Sequence, residues 1–265
     1  MEGVKGIILC GGPGKRLRPI TYYFQKAMIP VGRRQKPLLE YVVRLLRFYG
    51  IADLTFLVDY KAEQIINYFN NGSRFNVRIT YVYDEPGLKG TAGTLLNAYR
   101  KKAINTEETL LVYYGDILTN MSLRDFLKYH KDKEADATLA LSGGFTVRVG
   151  VAELEGDGRI KAFREKPRLE KPVSIAIVAL EGEVLKDIDS LMKGPRDLDL
   201  MGDVVPHLIE TGKQVYGYVT DAFWYDVGST EAYEKLDPEI VEKALGFCMN
   251  GRRRKFVMPQ PAETV

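Results

Sequence analysis

Glycines and cations crowd one short segment near the start of the chain. An apolar run at residues 7–10 is followed by three glycines and four cations, Gly11, Gly12, Gly14, Lys15, Arg16, Arg18 and Lys26. Glycine lets the backbone turn several N–H groups toward one anion, and the missing side chains let that anion come close. The cations add neutralising charge. The segment therefore predicts a phosphate-binding loop at the end of a strand.

Two common phosphate-binding loops do not fit this spacing. A Walker loop that ends in Lys15 needs a hydroxyl residue next, whereas the sequence has Arg16. A dinucleotide-binding fingerprint needs Gly or Ala where Leu17 stands, and no acidic residue ends a second strand at the expected distance. The spacing therefore disfavours both of these loops.

Five short motifs extend the pattern along most of the chain. In order they are GGPGKRLRPIT with QKAMIPV, GTAG, GD, EKP and WYDVGSTEAY. Together they resemble the signature of the sugar-1-phosphate nucleotidyltransferases, of the glucose-1-phosphate thymidylyltransferase and mannose-1-phosphate guanylyltransferase type. The resemblance implies an enzyme that makes a nucleoside diphosphate sugar and pyrophosphate from a nucleoside triphosphate and a sugar 1-phosphate. The sequence lacks the hexapeptide repeat of the C-terminal left-handed β-helix that longer relatives carry.

The resemblance also assigns roles to individual residues. The cations that it implies in catalysis are Arg16 and Lys26. The residues that it implies in nucleotide binding are Leu9, Gly11, Gly12, Gly14, Lys15, Asp84, Gly90 and Thr91. Those that it implies in binding the sugar phosphate are Gly150, Glu165, Lys166 and Ser174. Lys15 replaces the family's Thr or Ser, so it fits either a triphosphate contact or an extra loop charge.

A magnesium site is expected at two carboxylates. Asp116 follows the apolar residues 110–114, where an unpaired carboxylate is costly unless it meets a cation or caps a turn. Oxygen ligands of this kind suit Mg²⁺, which uses one or two carboxylates together with substrate phosphates and waters. The resemblance supplies Asp226 as the second ligand. The alternative is that each aspartate only caps a strand or a turn.

Departures from the family's motifs bear on Lys26 and on the nucleobase. Gln25 and Ala27 replace the prolines that usually flank the lysine, so we expect a less rigid frame around Lys26. Asp84 stands near the place of a base-reading Gln. A carboxylate only accepts hydrogen bonds, which matches the adjacent N–H donors of guanine, whereas thymine and uracil also need a donor. The sequence therefore favours GTP over dTTP or UTP.

Other departures leave the sugar and even the catalysis open. Ser174 and Ala176 replace Asn and Gly in a strand that contacts the sugar in the family, so glucose 1-phosphate and mannose 1-phosphate both stay candidates. The same departures support an alternative function, a non-catalytic regulatory relative that binds a nucleotide sugar. Retention of both aspartates and of the central cations favours the enzyme.

Alternating strands and helices must position these residues. The predicted strands cover residues 6–10, 54–58, 77–83 and 110–114, and the predicted helices cover residues 37–49, 62–69, 91–100 and 123–130. Repeated βα units predict an α/β, Rossmann-like, mainly parallel but mixed sheet with helices on both faces. Since ligands bind at the carboxyl ends of such strands, Gly11 and Asp116 are expected on one rim. The GTAG residues 90–93 are expected to open a helix whose N–H groups face a nucleotide.

After residue 135 the pattern changes to shorter strands with few helices, one of which is predicted at about 202–211. We expect one nucleotidyltransferase domain at 1–236, with a nucleotide-binding part at 1–134 and a sugar-phosphate-binding part at 135–236, followed by a C-terminal helix and tail at 237–265. The formal net charge of +3 argues against nucleic acid or a membrane as partner. Two distant cysteines and no signal peptide fit the cytoplasm. The resemblance implies a possible homodimer or homotetramer.

Overall fold

A computed structural model describes residues 3–147, 149–194 and 196–249. Its strands are β1 (Val4–Leu9), β2 (Pro30–Val31), β3 (Lys36–Pro37), β4 (Asp53–Val58), β5 (Arg78–Tyr83), β6 (Leu88–Lys89), β7 (Thr109–Tyr114), β8 (Ile117–Thr119), β9 (Ala137–Ser142), β10 (Phe145–Thr146), β11 (Val151–Leu154), β12 (Ile160–Arg164), β13 (Arg168–Leu169), β14 (Val173–Glu181), β15 (Arg196–Asp197), β16 (Val215–Thr220) and β17 (Trp224–Asp226). Its α-helices are α1 (Leu38–Phe48), α2 (Ala62–Phe69), α3 (Gly90–Arg100), α4 (Leu123–Asp132), α5 (Val184–Leu191), α6 (Val205–Glu210), α7 (Thr230–Lys235) and α8 (Pro238–Met249).

The central sheet is mixed and mainly parallel, as predicted. Its strand order is β16-β9-β14-β7-β1-β4-β5. Strands β7, β1, β4 and β5 pair in parallel, and β14 runs antiparallel to both β7 and β9. The inner strands read as continuous apolar runs because helices cover both faces. Ile8 packs into one hydrophobic cluster and its neighbour Ile7 into the other.

The predicted C-terminal helix forms as α8 and packs against α1. Arg34, just before α1, donates to Glu242 of α8 at 2.8 Å. The rings of Phe48 and Phe247 meet edge to face with centroids 4.9 Å apart. The helix is thus fixed to α1 and to the segment just before it. The predicted tail at 250–265 lies outside the described residues.

The second half of the chain contains more helix than the sequence suggested. Helix α5 was missed, although its buried residues Val184, Leu185 and Ile188 have helical spacing. The helix expected at 202–211 is a π-helical turn, Leu200–Val204, followed by α6. Among the described residues, no helix is long and apolar enough to cross a membrane.

Candidate active site

The site lies where β1 and β7 end side by side. Leu9, the last residue of β1, is paired with Tyr114 at the end of β7. The Gly115 N–H donates to the Leu9 carbonyl at 2.9 Å. Because the two strands are parallel neighbours, Gly11 and Asp116 leave the sheet at the same rim. The sequence-based prediction of a shared rim is confirmed.

The glycine turn packs against Thr21 and Lys26 at Gly14. Gly14 has φ of +59°, and a β-carbon there would lie 2.9 Å from Thr21 Cγ2 and 3.2 Å from Lys26 Cβ. The Thr21 hydroxyl donates to the Gly14 carbonyl at 2.9 Å. At Gly12, by contrast, a β-carbon would meet no heavy atom within 4 Å. The fold therefore requires glycine at Gly14, while Gly12 leaves open space for an anion. Lys15 follows in an exposed position.

Lys26 and Asp116 form an ion pair at this rim. The Lys26 ammonium donates to Asp116 Oδ2. The two side chains keep only 15% and 21% of their surfaces exposed. Partial burial strengthens the attraction relative to a surface pair, because less water screens it. Two residues that are ninety positions apart in the chain thus share one small site.

Gln25 corrects the expectation that Lys26 sits in a less rigid frame. Its buried side chain donates to the Cys10 carbonyl at 2.5 Å and accepts from the Ala27 N–H at 2.5 Å. Its backbone N–H donates to Gln64 Oε1 at 2.7 Å. These bonds tie both sides of Lys26 to the ends of β1 and α2. Three hydrogen bonds of Gln25 thus hold the backbone around Lys26, where the prolines of the family's usual motif are absent.

Asp226 reaches the same rim from the far end of the chain. It lies opposite Ile117 in the β17–β8 ladder, and the Val227 N–H donates to the Asp116 carbonyl at 3.1 Å. A β-carbon on Gly228 would lie 2.7 Å from Asp226 Oδ1 and 3.0 Å from Arg16 Nη2. The absence of a side chain at Gly228 therefore lets the Asp226 carboxylate and the Arg16 guanidinium approach the same point.

The two aspartates fit the chemistry of a magnesium site. Both present carboxylate oxygens at one rim, and cations lie beside both of them. The described residues contain no group of three or more His, Cys, Asp or Glu side chains able to hold a metal ion. Two carboxylates are oxygen donors of the kind that suits Mg²⁺, which keeps several waters and takes substrate phosphates as ligands.

A second pair of carboxylates lies on the other side of the glycine turn. A β-carbon on Gly11 would be 3.2 Å from Asp84 Oδ2 and 3.3 Å from Asp59 Cβ. Asp84 Oδ1 is buried and has no hydrogen-bond partner. Burial, with a smaller effect from Asp59, raises the pKa of Asp84 to about 6. Sequence reasoning missed Asp59, although it follows β4 just as Asp116 follows β7.

The GTAG segment opens α3 as predicted, but two of its N–H groups are already occupied. Those of Ala92 and Gly93 donate to the Leu198 carbonyl at 2.8 and 3.2 Å. The Thr91 hydroxyl donates to Asp199 Oδ2 at 2.9 Å. Gly90 has φ of +79°, and a β-carbon there would clash with the Leu198 carbonyl. The expectation that this whole segment faces a nucleotide is therefore wrong for Ala92 and Gly93.

The predicted sugar-phosphate residues gather on an exposed hairpin. A β-carbon on Gly150 would lie 3.0 Å from Glu165 Oε2 and would clash with the Phe163 ring. Lys166 has φ of +47°, and its ammonium lies 3.9 Å from Glu165 Oε1. The Glu165 and Lys166 side chains keep 64% and 63% of their surfaces exposed. The sequence analysis missed Phe163, whose ring lies beside Gly150, as the Glu165 carboxylate does.

Ser174 lies at an irregular start of β14. The pairing of β14 with β9 shifts register between Ser174 and Val178. Ala176, inside that shift, has φ of +58°, and its N–H donates to Ser174 Oγ at 3.2 Å. Left-handed backbone favours glycine, which explains why the family's motif has Gly at this position. This chain keeps the conformation with alanine.

The fold is a mainly parallel α/β sheet with a charged site at the carboxyl ends of β1 and β7. The sequence profile of the family described as Nucleotidyl transferase matches residues 5–243, and the chain belongs to this family. It is 33% identical, over 87% of its length, to a UTP–glucose-1-phosphate uridylyltransferase of Synechocystis sp.. It is 30% identical, over 90% of its length, to a mannose-1-phosphate guanylyltransferase of Mycobacterium tuberculosis.

The shared region is only part of some relatives. The chain spans 61% of the Synechocystis protein and 65% of the M. tuberculosis protein. It spans 98% of a D-glycero-alpha-D-manno-heptose 1-phosphate guanylyltransferase of Aneurinibacillus thermoaerophilus, at 30% identity over 89% of its own length. Among solved structures, HddC of Yersinia pseudotuberculosis complexed with GMP-PN matches with a TM-score of 0.66 and 22% identity, covering 89% of this chain and 99% of HddC. The structural likeness supports the fold.

Proposed function

We propose that this protein transfers a nucleotidyl group from a nucleoside triphosphate to a sugar 1-phosphate, giving a nucleoside diphosphate sugar and pyrophosphate. One observation carries the proposal. Lys26 pairs with Asp116, Asp226 and Arg16 meet at Gly228, and the Val227 N–H between them donates to the Asp116 carbonyl, so two cations and two carboxylates lie at one rim. The names of the matched relatives, all sugar-1-phosphate nucleotidyltransferases, support the same chemistry.

The reaction needs positioned charge rather than a protein nucleophile. A sugar phosphate oxygen attacks the α-phosphorus, the bond from that phosphorus to the β-phosphate oxygen breaks, and pyrophosphate leaves with the electron pair. Arg16 holds phosphate oxygens with two N–H groups, and Lys26 neutralises charge that spreads in the transition state. Cys10 is no nucleophile, because burial raises the pKa of its thiol far above the ordinary value.

The proposal gives Lys26 two partners in turn. Its ammonium pairs with Asp116 in the structure. In the proposed complex it would instead contact a substrate phosphate. Asp116 and Asp226 would hold Mg²⁺, which would supply positive charge for the phosphate oxygens. The Gln25 hydrogen bonds keep the backbone of Lys26 in place while its side chain exchanges partners.

The proposed nucleotide is GTP, with UTP and dTTP as the alternatives. The preference for GTP rests on Asp84. Its buried Oδ1 has no hydrogen-bond partner, and a carboxylate can accept from the N1–H and N2–H of guanine. Uracil or thymine would need a donor as well as an acceptor. Asp59 adds negative charge on the same side of Gly11.

The proposed sugar side belongs to residues 135–236, and the nucleotide side to residues 1–134. Glu165 accepts from sugar hydroxyls, and Lys166 pairs with the sugar phosphate, which suits an acceptor-only and a donor-only group. Gly150 and Ser174 complete this side. The expected substrates are glucose 1-phosphate and mannose 1-phosphate.

A pyrophosphate-release assay tests the proposal. The protein is mixed with Mg²⁺, each of GTP, UTP, dTTP and ATP, and several sugar 1-phosphates. We expect release that requires both substrates and stops when EDTA removes the metal. If no pair of substrates reacts while nucleotide sugars still bind in calorimetry, the protein is instead a non-catalytic nucleotide-sugar-binding regulator.

A further inference from the structure

We propose that this protein has a second anion site, distinct from the candidate active site, that binds a small dianion of the phosphate class. The site is a cavity of about 320 Å³ between α1, α2 and the turn after α2. We call it the basic pocket. Its lining residues are Lys36, Glu40, Arg44, Tyr68, Arg74 and Phe75. The proposal stands independently of the proposed catalytic activity.

The pocket carries an excess of positive charge. Lys36, Arg44 and Arg74 supply three cations, against the single carboxylate of Glu40. Glu40 and Arg44 are one helical turn apart on α1 and so share one side of that helix, and Lys36 lies in β3, two residues before α1 begins. Converging like charges repel one another unless a counter-ion joins them. A dianion would neutralise the pocket.

The one acidic group in the pocket is already satisfied. Glu40 is 2% exposed. Its Oε1 accepts from Arg44 Nε at 2.7 Å, and its Oε2 accepts from the Tyr68 hydroxyl. The carboxylate therefore fixes Arg44 and Tyr68 in place and leaves the outer part of the Arg44 guanidinium for another partner. A buried carboxylate that orients an arginine is an arrangement that favours an anion over a cation.

Aromatic rings hold the second guanidinium. Arg74 Cζ lies 4.8 Å from the ring centroids of both Tyr68 and Phe75, and Arg44 Cζ lies 5.5 Å from the Phe75 ring. Arg74 also donates to the Tyr68 carbonyl at 3.1 Å. Stacked guanidinium groups lose less conformational freedom when they bind an oxyanion. The pocket is thus organised before a ligand arrives.

Two sources of the dianion fit this chemistry, inorganic phosphate and a phosphate monoester. The cavity volume exceeds that of one phosphate group and is within the range of small-ligand sites. Glucose 6-phosphate serves as the monoester probe, because it adds a sugar ring to the same dianion. Binding at least tenfold tighter than inorganic phosphate would identify a monoester site, and equal affinities would identify a site for the phosphate group alone.

Backbone amide NMR during titration with inorganic phosphate or glucose 6-phosphate tests the proposal residue by residue. In the wild type we expect saturable shifts at residues 36, 44 and 74. In the double variant Lys36→Gln, Arg74→Gln, the dissociation constant read from these shifts should rise at least tenfold. The shifts at Gly12 and Lys26 should stay unchanged. Both substituted side chains are exposed, so the fold should hold.

A matched control removes a cation from a different aromatic cluster. Lys133 lies 5.7 Å from the Tyr129 ring centroid and 5.6 Å from that of Tyr216. Lys133→Gln should leave the shifts at the basic pocket unchanged. The proposal is overturned if phosphate shifts only residues of the candidate active site, if the double variant binds phosphate at the basic pocket as tightly as the wild type, or if Lys133→Gln weakens that binding as much as the double variant does.

Discussion

The proposed nucleotide side and the proposed sugar side of the candidate active site are built in different ways. On the nucleotide side, Lys26 is paired with Asp116, and the buried Gln25 fixes its backbone. On the sugar side, Glu165 and Lys166 lie on an exposed turn and pair with each other at 3.9 Å. The first region is bound into the central sheet, whereas the second keeps most of its surface in solvent.

Because of this difference, substitutions on the two sides should affect stability and substrate binding differently. Substitutions on the nucleotide side remove contacts that also hold the fold together, so they should change activity and stability together. Substitutions on the sugar side break few contacts within the protein, so they should change substrate affinity alone. Exposed charged groups contribute little to stability in general. Four substitutions test the contrast.

The largest effect is expected at Asp116. Asp116→Asn removes the partner of Lys26 and one proposed magnesium ligand, so kcat/KM should fall by about 1000-fold, the upper range for loss of one electrostatic contact in a transition state. Steady-state pyrophosphate release measures it. Asp132→Asn, which removes an exposed partner of Lys128, is the control and should keep full activity. A loss below tenfold at Asp116 would contradict the role given to the pair.

Gln25→Ala should affect both activity and stability. It leaves the buried Cys10 carbonyl and the Ala27 N–H without partners, which costs about 1–3 kcal/mol. We expect that loss in the free energy of unfolding in urea and a drop of about tenfold in kcat. Gln64→Ala removes the bonds to the Gln25 backbone N–H and to the exposed Tyr23 carbonyl but keeps the buried bonds of the Gln25 side chain, so it should have a smaller effect. Unchanged stability in Gln25→Ala would show that hydrogen bonds do not replace the missing prolines.

Glu165→Gln should change sugar binding without changing stability. The proposed contact is to sugar hydroxyls, so KM for the sugar 1-phosphate should rise about tenfold, the size of one hydrogen bond to a charged group. The melting temperature should stay the same, because the side chain is mostly exposed. Glu170→Gln, on the exposed stretch just after β13, is the control. A drop in melting temperature would contradict the contrast between the two sides.

The smallest effect is expected from Asp84→Asn and depends on pH. The pKa of Asp84 is raised from 3.8 to about 6, so between these values the folded protein binds the proton more tightly than the unfolded chain does. Stability from this group therefore falls as pH rises from 4 to 6 and stays low above 6. Asp59 raises the pKa of Asp84, whereas Lys101 and Lys89 oppose that shift.

The variant removes this dependence. We expect Asp84→Asn to gain about 1 kcal/mol over the wild type at pH 7.5, after allowance for solvent screening, and less at pH 4.5. Urea unfolding at the two pH values measures it. Asp59→Asn should give a smaller gain, because burial affects Asp84 more than Asp59 does. An equal gain at both pH values would show that the effect does not come from the proton.

The shared rim could be predicted from the sequence because it follows from local patterns. Apolar runs mark buried strands, and Gly11 and Asp116 come directly after two of them. Parallel pairing then brings their ends together without any further information. The same signal, an acidic residue directly after a strand, would have identified Asp59.

The frame of Lys26 could not be predicted in the same way. Gln25 acts through the Cys10 carbonyl at the end of β1, a contact that only the folded chain creates. The Leu198 carbonyl likewise occupies the N–H groups of Ala92 and Gly93 from more than a hundred residues away. Both contacts depend on tertiary packing, which motif spacing does not encode.

Isotope exchange tests the central claim, that the site positions charges for direct attack by the sugar phosphate and supplies no nucleophile of its own. The protein is incubated with Mg²⁺, its nucleoside triphosphate and labelled pyrophosphate, with and without the matching sugar 1-phosphate. The account predicts label in the triphosphate only when the sugar 1-phosphate is present. Label that enters the triphosphate without the sugar phosphate would reveal a covalent nucleotidyl-enzyme and contradict the account.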